Sequence, residues 1–344
     1  MTLTLTESAP RARSRRGRLG VGLAGAALVV AVVAVLSVAF GARGVALGDV
    51  IAALGGATET ASQAAVASRI PRTLLALLVG GALGVAGAVM QGVTRNPLAD
   101  PQILGVNMGA SLAVVVGIAY FGLGSQTGYI WVAMAGAAAA AVFVYLIGSM
   151  GRGGATPLKL ALAGAATSVA LGSLVSAVLL PRVDVMTQFR FWQIGGVGGA
   201  TYPAIAQVLP FLVVGIALCF LSARTLNSLA LGDELAAGLG EHVLRGRLLA
   251  ALGAVVLCGA TTAVAGPIGF VGLVVPHVCR LVVGVDHRWL IPYCALIGAA
   301  LLTAADIVGR IVVRPEELEV GIVTAFIGAP VFIAIVRRTR MRAL

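Results

Sequence analysis

Charged residues are scarce in this sequence: Asp, Glu, Lys and Arg supply 11% of its 344 positions, and aromatic residues 5%. Soluble domains use about 25% charged and 45–50% apolar residues, whereas hydrophobic residues reach 59% here. A water-soluble fold of this length cannot bury so much apolar surface, and that class is excluded. Lysine is almost absent. The sole lysine among 24 basic residues is Lys159, in Pro157-Leu158-Lys159-Leu160, with no glycine-rich loop to cradle phosphates. The chain therefore carries no P-loop, and any ATPase acting with it is a separate polypeptide. Histidine occurs three times, at His242, His277 and His287, never in an H-E-x-x-H pattern, so neither a metal site nor a bound cofactor is expected. The four cysteines, Cys219, Cys258, Cys279 and Cys294, lie in or beside apolar stretches without close pairs or ligand spacing. They are read as small apolar packing residues.

What the sequence has in excess is long apolar runs and arginine. A formal net charge of +11 would suit nucleic acid, but the basic residues are scattered between apolar runs instead of forming one face with interleaved aromatics, so no nucleic-acid partner is expected. Runs near the ~20 residues that cross a bilayer recur at 19–40, 73–92, 103–122, 128–148, 158–180, 203–222, 247–266, 268–284, 289–309 and 320–336. They predict an all-α, polytopic membrane protein with ten transmembrane helices in one domain, 19–336, between basic tails at 1–18 and 337–344. The first run follows Arg11, Arg13, Arg15, Arg16 and Arg18, yet it exceeds the roughly 7–15 apolar residues of a signal peptide and more runs follow. It is read as a retained helix. Ten spans bring both termini to one side. That side collects 17 of the 24 basic residues, including Arg152, Arg337, Arg338, Arg340 and Arg342, and leaves Arg43, Arg69, Arg72, Arg182, Arg190, Arg310 and Arg314 opposite. The positive-inside rule makes the richer side cytoplasmic.

Two runs lead into glycine- and proline-broken stretches, 73–92 into Arg95-Asn-Pro-Leu-Ala-Asp-Pro101 and 247–266 into Gly266-Pro-Ile-Gly-Phe-Val-Gly272. Breaks at corresponding places predict two related halves of inverted topology. Within the first break Asn96 and Asp100 suit capping of backbone groups that hydrocarbon cannot satisfy. The 46 glycines suit close helix approach, which substitutes in lipid for a hydrophobic force between helices.

The segment expected to carry function lies in 227–243: Leu231-Gly-Asp-Glu-Leu-Ala-Ala-Gly-Leu-Gly-Glu-His242. Asp233 and Glu234 suit a helix start, and Leu235 and Leu239 share a helical face at i, i+4. Two readings fit these residues alone: a short helix seated in a partner's groove, or an amphipathic linker on the membrane surface.

Leu231-Gly232-Asp233-Glu234-x-Ala236-x-x-Leu239-Gly240 resembles the ATPase-coupling loop of the iron-siderophore and vitamin B12 permease family of ABC importers. Other blocks match that family in the same order: Arg69-Ile-Pro-Arg-Thr73, Gly87-Ala-Val-Met-Gln91 with Arg95-Asn-Pro-Leu-Ala-Asp-Pro101, Gly269-Phe-Val-Gly-Leu-Val-Val-Pro-His-Val-Cys-Arg280, Ala305-Asp306 before Arg310, and Gly321-Ile-Val-Thr-Ala-Phe-Ile-Gly-Ala-Pro330. The resemblance implies a ten-helix permease subunit, similar to the vitamin B12 importer permease, in a bacterial cytoplasmic membrane. The implied partners are a second permease subunit, identical or related, two ATPase subunits that carry ATP and Mg, an extracytoplasmic substrate-binding protein and a metal-chelate substrate. It places Arg69, Arg72 and Arg310 at docking contacts for the binding protein, where bidentate guanidinium–carboxylate pairing fixes orientation; from the residues alone they fit interfacial arginines reaching lipid headgroups. It also places a cytoplasmic gate around Thr156, although Pro157 and Leu158 depart from the family's small polar residues. Glu319 stands where the family more often has proline, making an acidic patch with Glu316 and Glu317. Ferric siderophore is the expected cargo, with cobalamin and haem as alternatives. An ion-coupled secondary transporter is a reading from a different class, weakened by the scarcity of ionisable residues within the spans. An intramembrane enzyme would need partners for Ser168, Ser173 or Ser176 that the sequence does not supply.

Overall fold

The computed structural model describes residues 10–151 and 156–341. Residues 1–9 and 342–344 of the expected tails, and Arg152, lie outside the described residues. Among those described the secondary structure is all helical: α1 (Pro10–Ala39), α2 (Leu47–Leu54), α3 (Ala61–Thr94), a 3₁₀ turn (Pro101–Leu104), α4 (Val106–Phe121), α5 (Gln126–Ser149), α6 (Pro157–Leu179), α7 (Val183–Ile194), α8 (Tyr202–Leu221), α9 (Ala223–Leu229), α10 (Asp233–Gly238), α11 (Val243–Ala265), α12 (Val271–Val283), α13 (His287–Val312) and α14 (Val320–Met341). Each expected span coincides with a helix, namely α1, α3, α4, α5, α6, α8, α11, α12, α13 and α14. These alternate in direction, so the bundle has one end that carries α10 and an opposite end that carries α2 and α7.

Local chemistry sets the helix starts. The Thr60 hydroxyl accepts from the Gln63 N–H while the Gln63 side chain accepts from the Thr60 N–H, a capping box. Ser125, Thr156, Thr201 and Asp286 cap α5, α6, α8 and α13 in the simpler way. The second span therefore begins at Ala61, not near residue 73. Arg69 and Arg72 make the preceding turns look like a loop in a hydropathy profile, but within the fold Arg69 is held by backbone carbonyls and Arg72 by carboxylates.

Two expected spans are shorter than the sequence suggests. The third begins at Val106, just after Gly105 (φ 72°), and the eighth at Val271, because Gly266 (φ 69°) ends α11 and the left-handed Phe270 (φ 68°) precedes α12. At 13 residues α12 is roughly 20 Å long, too short to cross alone. The broken stretch before it completes the passage, allowed at membrane depth because its polar backbone is buried in protein. The two breaks touch: the Gln102 amide donates to Ile268 O at 3.0 Å, and Gln91 donates to Gly272 O at 3.3 Å. A further pair of backbone bonds, Gly196 N to Ala265 O at 2.8 Å and Gly321 N to Gly195 O at 3.0 Å, ties the second break to α7 and α14.

The core sits along α3, whose apolar window is 78% buried against 6% for α1. Close approach makes this possible. A Cβ at Gly80 would lie 2.3 Å from Gly298 O, and one at Gly298 would lie 2.3 Å from Gly80 O, so α3 and α13 touch backbone to backbone. The four cysteines are buried and unpaired. Ser173 and Ser176 donate to carbonyls four residues back in α6, Val169 O and Gly172 O, as packing hydroxyls do.

Candidate functional site

Residues 223–243 fold into two short helices at one end of the bundle. Gly232, with φ 115°, ends the turn after α9, and Gly240, with φ 85°, ends α10; a Cβ at either position is strained by backbone geometry alone. Between them Ala236 is buried, while Leu231, Leu235 and Leu239 are 59%, 62% and 67% exposed. Leu235 and Leu239 lie one helix turn apart and form a short apolar ridge pointing away from the bundle, and Leu231 stands before it, across the non-helical Gly232.

The base of α10 is clamped electrostatically. Asp233 accepts from Arg95, which follows α3, and from Arg247 in α11 at 2.9 Å. Glu241 accepts from Thr225 at 3.2 Å and from Ser228 at 3.5 Å, closing the loop back onto α9. α9 is fixed in turn to α13. Asn227 Oδ1 accepts from the His287 backbone N–H and pairs with His287 Nδ1, both at 2.9 Å, and Asn227 Nδ2 donates to Asp286 Oδ1 at 2.6 Å. His287 Nε2 is buried against Gly92, where a Cβ would come within 2.7 Å of it. The short-helix pair is thus bolted to α3, α11 and α13. Asn227 lies within the expected segment 227–243, but sequence reasoning did not place Arg95, Arg247, Asp286 or His287 in this site, because they come from other helices.

At the opposite end the three arginines expected on the outer surface take up a different arrangement. Arg69 is 6% exposed and Arg310 1%. The last carbonyls of α1 have no intrahelical partners, and arginines supply them. Arg310 donates to Ser37 O at 3.0 Å and Phe40 O at 3.2 Å, Arg69 to Ala39 O at 3.0 Å and Arg43 O at 2.7 Å, and Arg314 to Gly41 O at 2.7 Å. A cation at a helix C-terminus also complements the macrodipole. Surface placement is therefore corrected for Arg69 and Arg310, whose guanidinium groups are occupied as caps of α1.

Arg72 lies nearest the surface of the three, its side chain 11% exposed. Its guanidinium binds Asp306 at 2.8 Å and also the partly exposed Glu317. Asp306, fully buried, is shared with Arg310 at 2.9 Å. Glu319 packs over Gly196, and burial holds its carboxyl above the usual carboxylate range, with Arg72 opposing the rise and Asp306 and Glu317 adding to it. The acidic patch of the sequence is thus partly consumed by Arg72.

Thr156 stands at the start of α6, its hydroxyl accepting from the Lys159 N–H at 3.3 Å, at the same end as α10. Pro157 at the first helical position needs no hydrogen-bond acceptor, which explains its tolerance there.

Comparison with known proteins accords with this arrangement. The family model described as the FecCD transport family matches residues 28–338. The ferric enterobactin transport system permease protein FepD of Escherichia coli (strain K12) is 46% identical over 320 residues, 92% of this chain and 95% of its own length. The hemin transport system permease protein HmuU of Yersinia pestis is 40% identical, covering 79% of this chain and 82% of the relative. Among solved structures, one described as an inward-facing conformation of a metal-chelate type ABC transporter superposes with a TM-score of 0.79 at 28% identity, covering 92% of this chain and 98% of that one. The chain belongs to the FecCD transport family, whose members here are membrane-embedded transport permease subunits.

Proposed function

We propose that this chain is the membrane-spanning subunit of a binding-protein-dependent ABC importer that carries a ferric siderophore inward across the bacterial cytoplasmic membrane. The observation that carries the reading is the apolar ridge of Leu235 and Leu239, exposed on a short helix whose base is clamped to α3 and α11, with the exposed Leu231 just before it. An apolar ridge on a rigidly held helix suits a groove on a partner, and the partner proposed is an ATPase subunit carrying ATP and Mg. Two such subunits would close together, push the α9–α10 pairs of two permease subunits, and move the helices to which those pairs are bolted. Thr156 is proposed to stand at the cytoplasmic gate. An extracytoplasmic binding protein would deliver cargo at the end carrying α2 and α7, where the partly exposed Glu317 is held by Arg72, with Arg69 and Arg310 positioning the rim. No bond of the cargo is made or broken.

Siderophore is preferred as cargo because the ferric enterobactin permease is 46% identical, against 40% for the hemin permease and 40% for the cobalamin import system permease protein BtuC of Halobacterium salinarum. The test is uptake of radioactive iron as a ferric siderophore into vesicles holding the chain with its ATPase and binding-protein partners. Uptake is expected only with hydrolysable ATP. Uptake driven by an ion gradient in vesicles that lack the ATPase would overturn the reading.

A further inference from the structure

A cavity of about 700 Å³ lies within the α10 end of the bundle, walled by α5, α6 and α11 with Phe211 of α8, and floored by the last turn of α3. That is the size of a pocket for a small organic molecule, ~300–1,000 Å³. Its chemistry is sharply divided along its depth. Polar lining side chains, Thr94, Asn96, Tyr145 and Arg247, all stand at the α10 end, and the rest is aliphatic apart from Phe211 and methionine. Thr94 and Asn96 are satisfied locally, by Met90 O and the Leu98 N–H. Arg247 is not: its side chain is only 12% exposed, and its Nε is buried with no hydrogen-bond partner. Two guanidinium groups, Arg95 and Arg247, share the single carboxylate of Asp233. One positive charge is left over at the mouth.

A ligand that fits must be apolar over most of its length and anionic at one end. A hydrated metal chelate fails the first condition, since the deep wall offers it no hydrogen bond. A free phosphate fails it as well. We infer that this cavity holds one acyl chain of an anionic phospholipid from the adjoining leaflet, with the phosphate at Arg247. Basic pockets between transmembrane helices bind anionic headgroups in this way. The occupant would stand one ion pair away from α10, so that lipid composition and the clamp on the short helices share Arg247.

The test uses the full chain in vesicles of equal phosphatidylglycerol and phosphatidylcholine, extracted in mild detergent, with retained lipid counted by native mass spectrometry. Phosphatidylglycerol is expected to be retained over phosphatidylcholine by roughly fivefold, the effect of one surplus cation. Ala141→Trp, which fills the cavity, abolishes that retention. Asp233→Asn frees the second guanidinium and raises the preference by a further factor of roughly five, whereas damage to the fold would lower it. Equal retention of the two lipids, retention of none, or retention unchanged in Ala141→Trp, as for lipid on the outer surface, would each overturn the inference. Should Ala141→Trp fail to fold, the direction of the Asp233→Asn shift decides alone.

Discussion

At Arg310 a guanidinium with 1% exposure closes three structures at once: the end of α1, the Ser37 hydroxyl at 2.6 Å and the buried Asp306. Removing one partner of a buried ion pair is far more damaging than replacing the whole pair, because the remaining charge is left uncompensated. Arg310→Ala is expected to lose on the order of 3 kcal/mol, toward the lower end of that effect since Asp306 keeps Arg72. The measurement is the thermal unfolding midpoint in detergent, together with the amount of chain in the membrane. Unchanged stability with weakened, salt-sensitive binding-protein affinity would instead return Arg310 to a docking role. The sequence singled this residue out as a docking contact at the end of a span. Its burial was invisible, because an arginine at a span end reads equally well as facing water, headgroup or helix terminus.

Among the elements, α9 and α10 are too short to be stable alone, and their order derives from what they touch. Asn227 is the single side chain that joins α9 to both the backbone and the ring of His287 and to the cap residue Asp286. Asn227→Ala leaves buried groups on α13 unpaired, at a cost of about 1–3 kcal/mol. The expected result is a folded chain in which ATP hydrolysis by the assembled transporter persists while uptake falls, because the short helices still seat on the ATPase but no longer drag α13. Parallel assays of phosphate release and iron uptake on the same vesicles check this, and an equal fall in both would remove Asn227 from the transmission. Periodicity had little to offer for this element. The leucine spacing announced an exposed face, but the partners at residues 95, 247 and 286–287 approach from three other helices.

For the molecule as a whole, the ten spanning helices alternate in direction and put both termini on one side with α10, and the arginine imbalance predicts that this side faces the cytoplasm. Because the four native cysteines are buried, single introduced cysteines report sidedness cleanly. Leu235→Cys is expected to react with a membrane-impermeant thiol reagent only in inverted vesicles. Gly56→Cys, just after α2, should react only in right-side-out vesicles. The same side for both would overturn the topology.

The sequence by itself determined the class and the ten spans, because hydropathy is a property of consecutive residues acted on by a bilayer, and its arginine placement predicts the direction in which they run. It also signalled breaks after α3 and after α11, through the proline- and glycine-rich stretches 95–101 and 266–272, while the later start of α4, behind Gly105, emerged only in the fold. Only the tertiary structure decided that α3 is the central mast, that Gln102 and Ile268 join the two breaks, and that Arg69 and Arg310 are buried where they cap α1. Those outcomes depend on which helices become neighbours. That choice is made by close packing and by the demand that every polar group in hydrocarbon find a partner inside the protein, neither of which is written in any one segment.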